Sequence, residues 1–183
     1  MGRETHRRVA LLAVVGALAA AWVVAVKAPS VTAVASAASS PAVRHHTVKP
    51  FATCPFPKEL RGIFERAAAD ANLPPAMLYA VAKVESNLHE DARSAAGARG
   101  LLQVLPSTAR SLNLDADEPT SNVLAGARYL RQLIDRFDSL DLALAAYNAG
   151  PTAVQKAGGA PSQGVLSYVA NVNRQWLSVA GCR

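Results

Sequence analysis

Cysteine is nearly absent from this chain of 183 residues: Cys54 and Cys182 are the only two. That excludes a disulfide-dense mini-protein and a cysteine-rich zinc module. Aromatic residues are scarce, at 5%. Histidine is scarce too, and His6, His45, His46 and His89 form no HExxH pair, so a zincin-type metal site is not expected. Period-two alternation is missing throughout, so no sheet is predicted. A basic face is missing as well. The formal charge of +6 sits in residues 1–53, which hold Arg3, Arg7, Arg8, Lys27, Arg44 and Lys49 against Glu4. Residues 54–183 hold 13 basic and 12 acidic side chains, which gives no electrostatic basis for a nucleic-acid partner.

What the chain does have is a strongly apolar start. A basic head, MGRETHRR, is followed by 18 residues from Val9 to Val26 that are apolar except for Gly16, and Lys27 ends the run. This is the pattern of a secretory leader. The run exceeds the roughly 7–15 residues of a cleaved signal core and approaches a bilayer span. Residues 1–27 are therefore expected to be a membrane anchor, with residues 9–26 in the bilayer. A signal cleaved near Ala33–Ala37 is the alternative, and either places the rest outside the cytoplasm. Residues 28–53, rich in Ala, Ser, Val, Pro and Thr, read as a flexible linker. Residues 54–183 read as one folded domain, long enough for a modest core. Cys54 and Cys182 bracket it and are candidates for a disulfide in an oxidising compartment; two free thiols are the other reading.

Within the domain helical periods dominate. Leu60, Ile63, Phe64, Ala67, Ala68 and Ala71 form one stripe, ended by Asn72-Leu73-Pro74-Pro75. A second helix is predicted from Pro75 to about Ser86. Residues 87–99 read as a loop. Short helical pieces are predicted around Leu101–Val104 and Pro106–Leu112, and longer helices over Asn122–Phe137, Leu140–Ala149 and Val165–Val179. Gly150-Pro151 reads as a helix stop. The expected class is all-α or nearly so.

Three segments carry candidate chemistry. Glu85 lies near the end of the second helix, on the face of Val81 and Ala82, which should be buried. A carboxyl against an apolar wall has its pKa raised by desolvation, which suits a general acid at neutral pH. Ser94, Gly97, Gly100 and Gln103 recur every three residues, and glycines at that density permit close backbone approach. Tyr147-Asn148, before Gly150, offers a flat ring and an amide with donors and acceptors, suited to sugar hydroxyls and N-acetyl groups.

Together these segments resemble the lytic transglycosylases with a soluble-lytic-transglycosylase, goose-type-lysozyme-like catalytic domain. The first motif is Val84-Glu85-Ser86, with Ser94, Gly97, Ala98, Gly100, Leu101, Gln103, Pro106, Thr108 and Ala109 at matching intervals. The second is Asn122, Gly126 and Tyr129-Leu130. The third is Ala143 to Pro151, completed by Tyr168. The resemblance implies a lysozyme-like helical domain with a sugar-binding groove. It also implies cleavage of the β-1,4 bond between N-acetylmuramic acid and N-acetylglucosamine in peptidoglycan glycan strands, with no metal or cofactor. Glu85 would be the single acid and base and the product a 1,6-anhydro sugar. Ser94 would orient the Glu85 carboxyl, Gln103 and Asn148 would bind the sugar, and Tyr147 would line the site. Tyr168 would position Glu85 or the substrate, with Gly97 and Gly100 geometric.

The sequence departs from the family pattern at Leu102, usually Met, at His89-Glu90, at Thr152, and at Gly164-Val165 in place of a Glu-Thr pair. Two other readings follow from the same residues. Glu90 or Asp91 could hold a water opposite the acid, giving a hydrolytic muramidase. A non-catalytic peptidoglycan-binding module would keep the fold without the chemistry.

Overall fold

The computed structural model describes residues 55–180. The expected anchor, the linker and both cysteines of the candidate disulfide lie outside the described residues. Among the described residues no helix is long and apolar enough to cross a membrane. In chain order the helices are α1 (Lys58–Asp70), α2 (Pro75–Glu85), α3 (Pro106–Ser111), α4 (Pro119–Phe137), α5 (Leu140–Ala149), α6 (Pro151–Ala157) and α7 (Gln163–Ser178). The all-α expectation holds for them: the only β features are isolated bridges, Arg93 to Arg99 and Arg99 to Val104.

α2 is the central element. Proline at its first position presets the helical φ, and the missing N–H would have had no partner there. Every residue from Ala76 to Ala82 is buried, the pattern of a helix enclosed on all sides. It packs most extensively on α7 and also on α1. α1 buries Leu60, Phe64, Ala67 and Ala68, the predicted stripe, and α7 buries Val165, Tyr168, Val169 and Val172. α4 packs on α1 and α5, and α5 packs in turn on α6 and α7. Phe56 stacks on Phe64 with ring centroids 4.5 Å apart and meets the edge of Tyr79, which closes the end of the core near α1.

The structure corrects three local expectations. Leu101–Val104 is a turn, not a helix: Gly100 at φ 71° and Gln103 at φ 45° leave the α region, and Arg99 and Val104 exchange backbone hydrogen bonds across it. The long α4 begins at Pro119 rather than Asn122, because the Glu118 carboxylate accepts from the N–H groups of Thr120 and Ser121. The Gly150-Pro151 pair stops α5 but also starts α6. Gly150, at φ 85°, is the C-cap of one and the N-cap of the other.

Candidate active site

Glu85 ends α2 over an apolar floor. Val81 and Ala82, one turn earlier on the same face, are 1% and 0% exposed. Glu85 as a whole residue is half-buried. The Tyr168 hydroxyl, from α7, donates to Glu85 Oε1 at 2.6 Å. Burial pushes the Glu85 pKa up to about 7, and the Tyr168 hydrogen bond opposes the rise only in part. No second carboxylate contributes to it. The Tyr168 phenol is held well above its ordinary range by burial and by the adjacent Glu85, so it remains a donor.

The chain after Glu85 is irregular and tightly tied. Asn87 and Leu88 both take positive φ, at 52° and 67°. For Leu88 that conformation is strained and is held by its surroundings. Ser86, buried, has Oγ 2.8 Å from the carbonyl of Leu101, to which its one hydrogen donates, with the Ala82 carbonyl also in reach at 3.2 Å, and accepts from Leu88 N–H (3.1 Å). The segment Gly100–Gln103 thus lies beside the end of α2. Its Leu102 is gripped on both sides: the N–H donates to Asn122 Oδ1 (3.0 Å), and the carbonyl accepts from the Tyr147 hydroxyl (2.8 Å).

Gln103, Tyr147 and Asn148 come together on one cavity of about 230 Å³, with Val104, Leu105, Thr108, Tyr129, Ala149 and Gly150. The ring of Tyr147 packs on Tyr129 at 5.5 Å between centroids. Its hydroxyl is tied to Leu102, so Tyr147 presents its ring rather than a free hydroxyl. Burial and then the Glu85 charge hold the Tyr147 phenol well above its ordinary range, which links this cavity electrostatically to the carboxyl. Gln103 spends both amide hydrogens on the carbonyls of Ala92 and Gly100, each at 3.0 Å. Asn148 is exposed and makes no side-chain hydrogen bond to the described residues.

Ser94 stands differently from the expectation. Its Oγ accepts from Ala98 N–H at 3.0 Å, and its backbone bonds to Ala98 and Gly97, so it closes its own turn. The hydrogen bond to Glu85 expected of it is made by Tyr168. Gly97 (φ 83°) and Gly100 (φ 71°) both take positive φ, in different surroundings. A Cβ on Gly97 would meet nothing, whereas one on Gly100 would sit 2.6 Å from Asn122 Nδ2. Glu90 and Asp91 line a separate cavity of about 270 Å³ with Arg93, Arg99 and Asp117. Asp117 pairs there with Arg93 (2.9 Å) and with Arg99.

The pattern of the transglycosylase SLT domain family matches residues 62–164 of this chain, a span holding Glu85, the Gly100–Gln103 turn and the cavity. The chain belongs to the transglycosylase SLT domain family. A transglycosylase of the Enterobacteria phage PRD1 is 40% identical over 85 residues, covering 46% of this chain and 32% of the phage protein. The membrane-bound lytic murein transglycosylase F of Cellvibrio japonicus is 38% identical over 92 residues, covering 46% of this chain and 19% of that protein. An inactive Glu→Gln mutant of the lytic transglycosylase Slt from Pseudomonas aeruginosa superposes with a TM-score of 0.59 at 30% identity, over 68% of this chain and 24% of that one. The 70 kDa soluble lytic transglycosylase of Escherichia coli gives 0.58 at 25% identity, over 66% and 24%. The chain thus spans a third or less of each of these proteins.

For this SLT domain, sequence reasoning assigned no role to four residues that build the site. Ser86, Asn122, Gly126 and Tyr129 appear in the motifs, but their contacts do not follow from spacing. One signal was available for Asn122: it falls on the inward stripe of α4 with Gly126, Leu130 and Leu133. A buried amide on such a stripe needs partners. Gly126 is legible only in three dimensions, since a Cβ there would sit 2.5 Å from Leu102 Cδ1 and 2.8 Å from the Tyr147 hydroxyl.

Proposed function

We propose that this chain is a peptidoglycan lytic transglycosylase in which Glu85 is the single general acid and base. The observation that carries the reading is the setting of Glu85: a carboxyl at the end of α2 over the buried Val81 and Ala82, bonded by the Tyr168 hydroxyl at 2.6 Å, where burial, and no second carboxylate, pushes its pKa up to about 7. Glycosidases of the two-carboxylate kind need a partner across the scissile bond. Here the acidic candidates Glu90 and Asp91 line another cavity, which favours a lyase over a hydrolytic muramidase.

In the proposed reaction protonated Glu85 gives its proton to the glycosidic oxygen between N-acetylmuramic acid and N-acetylglucosamine. The C1–O bond breaks, and the muramyl N-acetyl group stabilises the positive charge at C1. The Glu85 carboxylate then takes the proton of the muramyl 6-hydroxyl as its oxygen bonds to C1. The product is the 1,6-anhydro sugar; Glu85 is restored and no water is consumed. A pKa near the working pH suits a group that must first give and then take a proton. The ring of Tyr147, the Asn148 amide and Gln103 Oε1 would contact the sugar in the cavity. Residues 1–27 would deliver residues 54–183 outside the cytoplasm, as an anchor or a cleaved signal, where Cys54 and Cys182 would pair.

The test is digestion of purified peptidoglycan by the full chain in mild detergent, with Glu85→Gln alongside and mass spectrometry of the released sugars. Muropeptides lighter by one water than reducing-end products, absent with Glu85→Gln, are expected. Reducing-end products would instead establish a muramidase, and no products from the folded chain would point to a binding module.

A further inference from the structure

We propose that Asn122 is a positioning residue of the cleft: by fixing the Leu102 peptide it sets where Gln103 meets the glycan. This rests on the glycan-cleaving reading above.

The wall segment Gly100–Gln103 belongs to no helix or strand, so its position depends on what ties it down. Asn122 is 0% exposed and does not line the cavity. Its Oδ1 accepts from Leu102 N–H, and its Nδ2 donates to Arg99 O (2.7 Å) and Ala116 O (2.9 Å). None of these bonds stays within α4. One reaches the wall at Leu102 and another the residue that leads into it, Arg99, so the two bracket Gly100. Gly100 lies so close that a Cβ would stand 2.6–3.0 Å from the amide atoms. A buried amide is tolerated because each of these bonds is made, and an apolar side chain would leave the Leu102 N–H and the Ala116 carbonyl unpaired, while Arg99 O would keep only its bond from Val104 N–H.

Gln103 follows directly. With Leu102 held by Asn122 on one side and Tyr147 on the other, the chain enters Gln103 at φ 45°, uncommon for a glutamine. Both hydrogens of its Nε2 point inward to Ala92 O and Gly100 O. Oε1 is the group left to face a ligand, and its direction follows the path of Gly100–Gln103.

The experiment is a double-mutant cycle in the full chain with Asn122→Asp, Gln103→Ala and their combination. Asn122→Asp keeps an acceptor for Leu102 N–H and loses both donors. Two readouts are used: the Kd for tri-N-acetylchitotriose by NMR titration, and kcat and KM on soluble glycan strands. The expected result for Asn122→Asp is a rise of about tenfold in Kd and KM, with kcat within about threefold of wild type. The alkaline limb of the pH–rate profile, wherever it falls in wild type, should stay in place, because Asn122 touches neither Glu85 nor Tyr168. The double variant should bind no worse than Gln103→Ala within about twofold, because one change acts through the other. If Asn122→Asp does not fold, Gly100→Ala strikes the same contact from the wall side and enters the cycle in its place. Losses that multiply in the double variant, or a fall in kcat at unchanged KM, overturn the proposal. Trisaccharide binding with this coupling but no cleavage of strands would overturn the glycan-cleaving reading and leave the positioning role standing. Wild type that neither binds nor cleaves overturns both.

Discussion

The Tyr168 hydroxyl donates to Glu85 Oε1 at 2.6 Å, joining the end of α2 to α7 across 83 residues of sequence. Its effect on the acid has a definite sign. A donor favours the ionised carboxylate, so Tyr168 holds the Glu85 pKa below the value burial alone would impose. Tyr168→Phe keeps the ring and removes the donor. The alkaline limb of the pH–rate profile should move up from about 7, and kcat at neutral pH should fall as the carboxylate loses orientation. An unchanged limb in a folded Tyr168→Phe chain would remove the tyrosine from the proton chemistry.

Glu85 should also cost stability. Its folded pKa of about 7 lies above the ordinary 4.5, so ionisation is disfavoured in the fold. The contribution is fully favourable below pH 4.5, weakens as the pH rises, and is lost above 7. Glu85→Gln has no proton to lose, and its Oε1 still accepts from Tyr168. The variant should be more stable than wild type by roughly 2–3 kcal/mol at pH 8, with little difference at pH 4. Denaturant unfolding at the two pH values measures this, and the same variant should have lost turnover.

Two glycines should respond differently to alanine. Gly126→Ala places a Cβ 2.5 Å from Leu102 Cδ1 and 2.8 Å from the Tyr147 hydroxyl, so the wall must shift. A loss of about 1–3 kcal/mol is expected, with weakened sugar binding. Gly97→Ala meets no atom within 4 Å and bears only the strain of φ 83°, about 1–2 kcal/mol, with binding unchanged. Thermal unfolding and trisaccharide titration of both variants separate the two effects.

Asn148 offers the opposite separation. It is exposed on the cavity and makes no side-chain hydrogen bond to the described residues. Asn148→Ala should therefore leave stability within about 0.5 kcal/mol of wild type while raising KM. A large loss of stability would mean that its role is in the fold.

The sequence made the helices legible because their determinants are local. The stripe of α1, the proline start of α2 and the inward face of α7 all follow from spacing and turn chemistry. Glu85 was legible for the same reason, since Val81 and Ala82 sit one turn before it. The wall was not. Leu101 and Leu102 read as helix because both are apolar, but their backbone is tied down by Ser86, Asn122 and Tyr147, which lie 15, 20 and 45 residues away from their wall partners. The turn that Ser94 closes with Ala98 was not legible either, because a serine three residues before Gly97 fits its own turn as well as it fits a neighbour's carboxyl. The start of α4 was missed because Glu118 is an unusual cap.

α2 packs chiefly on α7, the last helix of the described chain, and this fixes an order of events during synthesis. Glu85 leaves the ribosome long before Tyr168 and the apolar face that encloses it. Until α7 docks, Glu85 lacks the Tyr168 donor and the cover of α7, and its pKa is expected to lie nearer the ordinary 4.5. The raised pKa on which the proposed role of Glu85 depends is thus expected only once α7 has docked. A nascent or truncated product that ends before α7 contains every other residue of the cleft and lacks the one protonated group on which the proposed reaction depends.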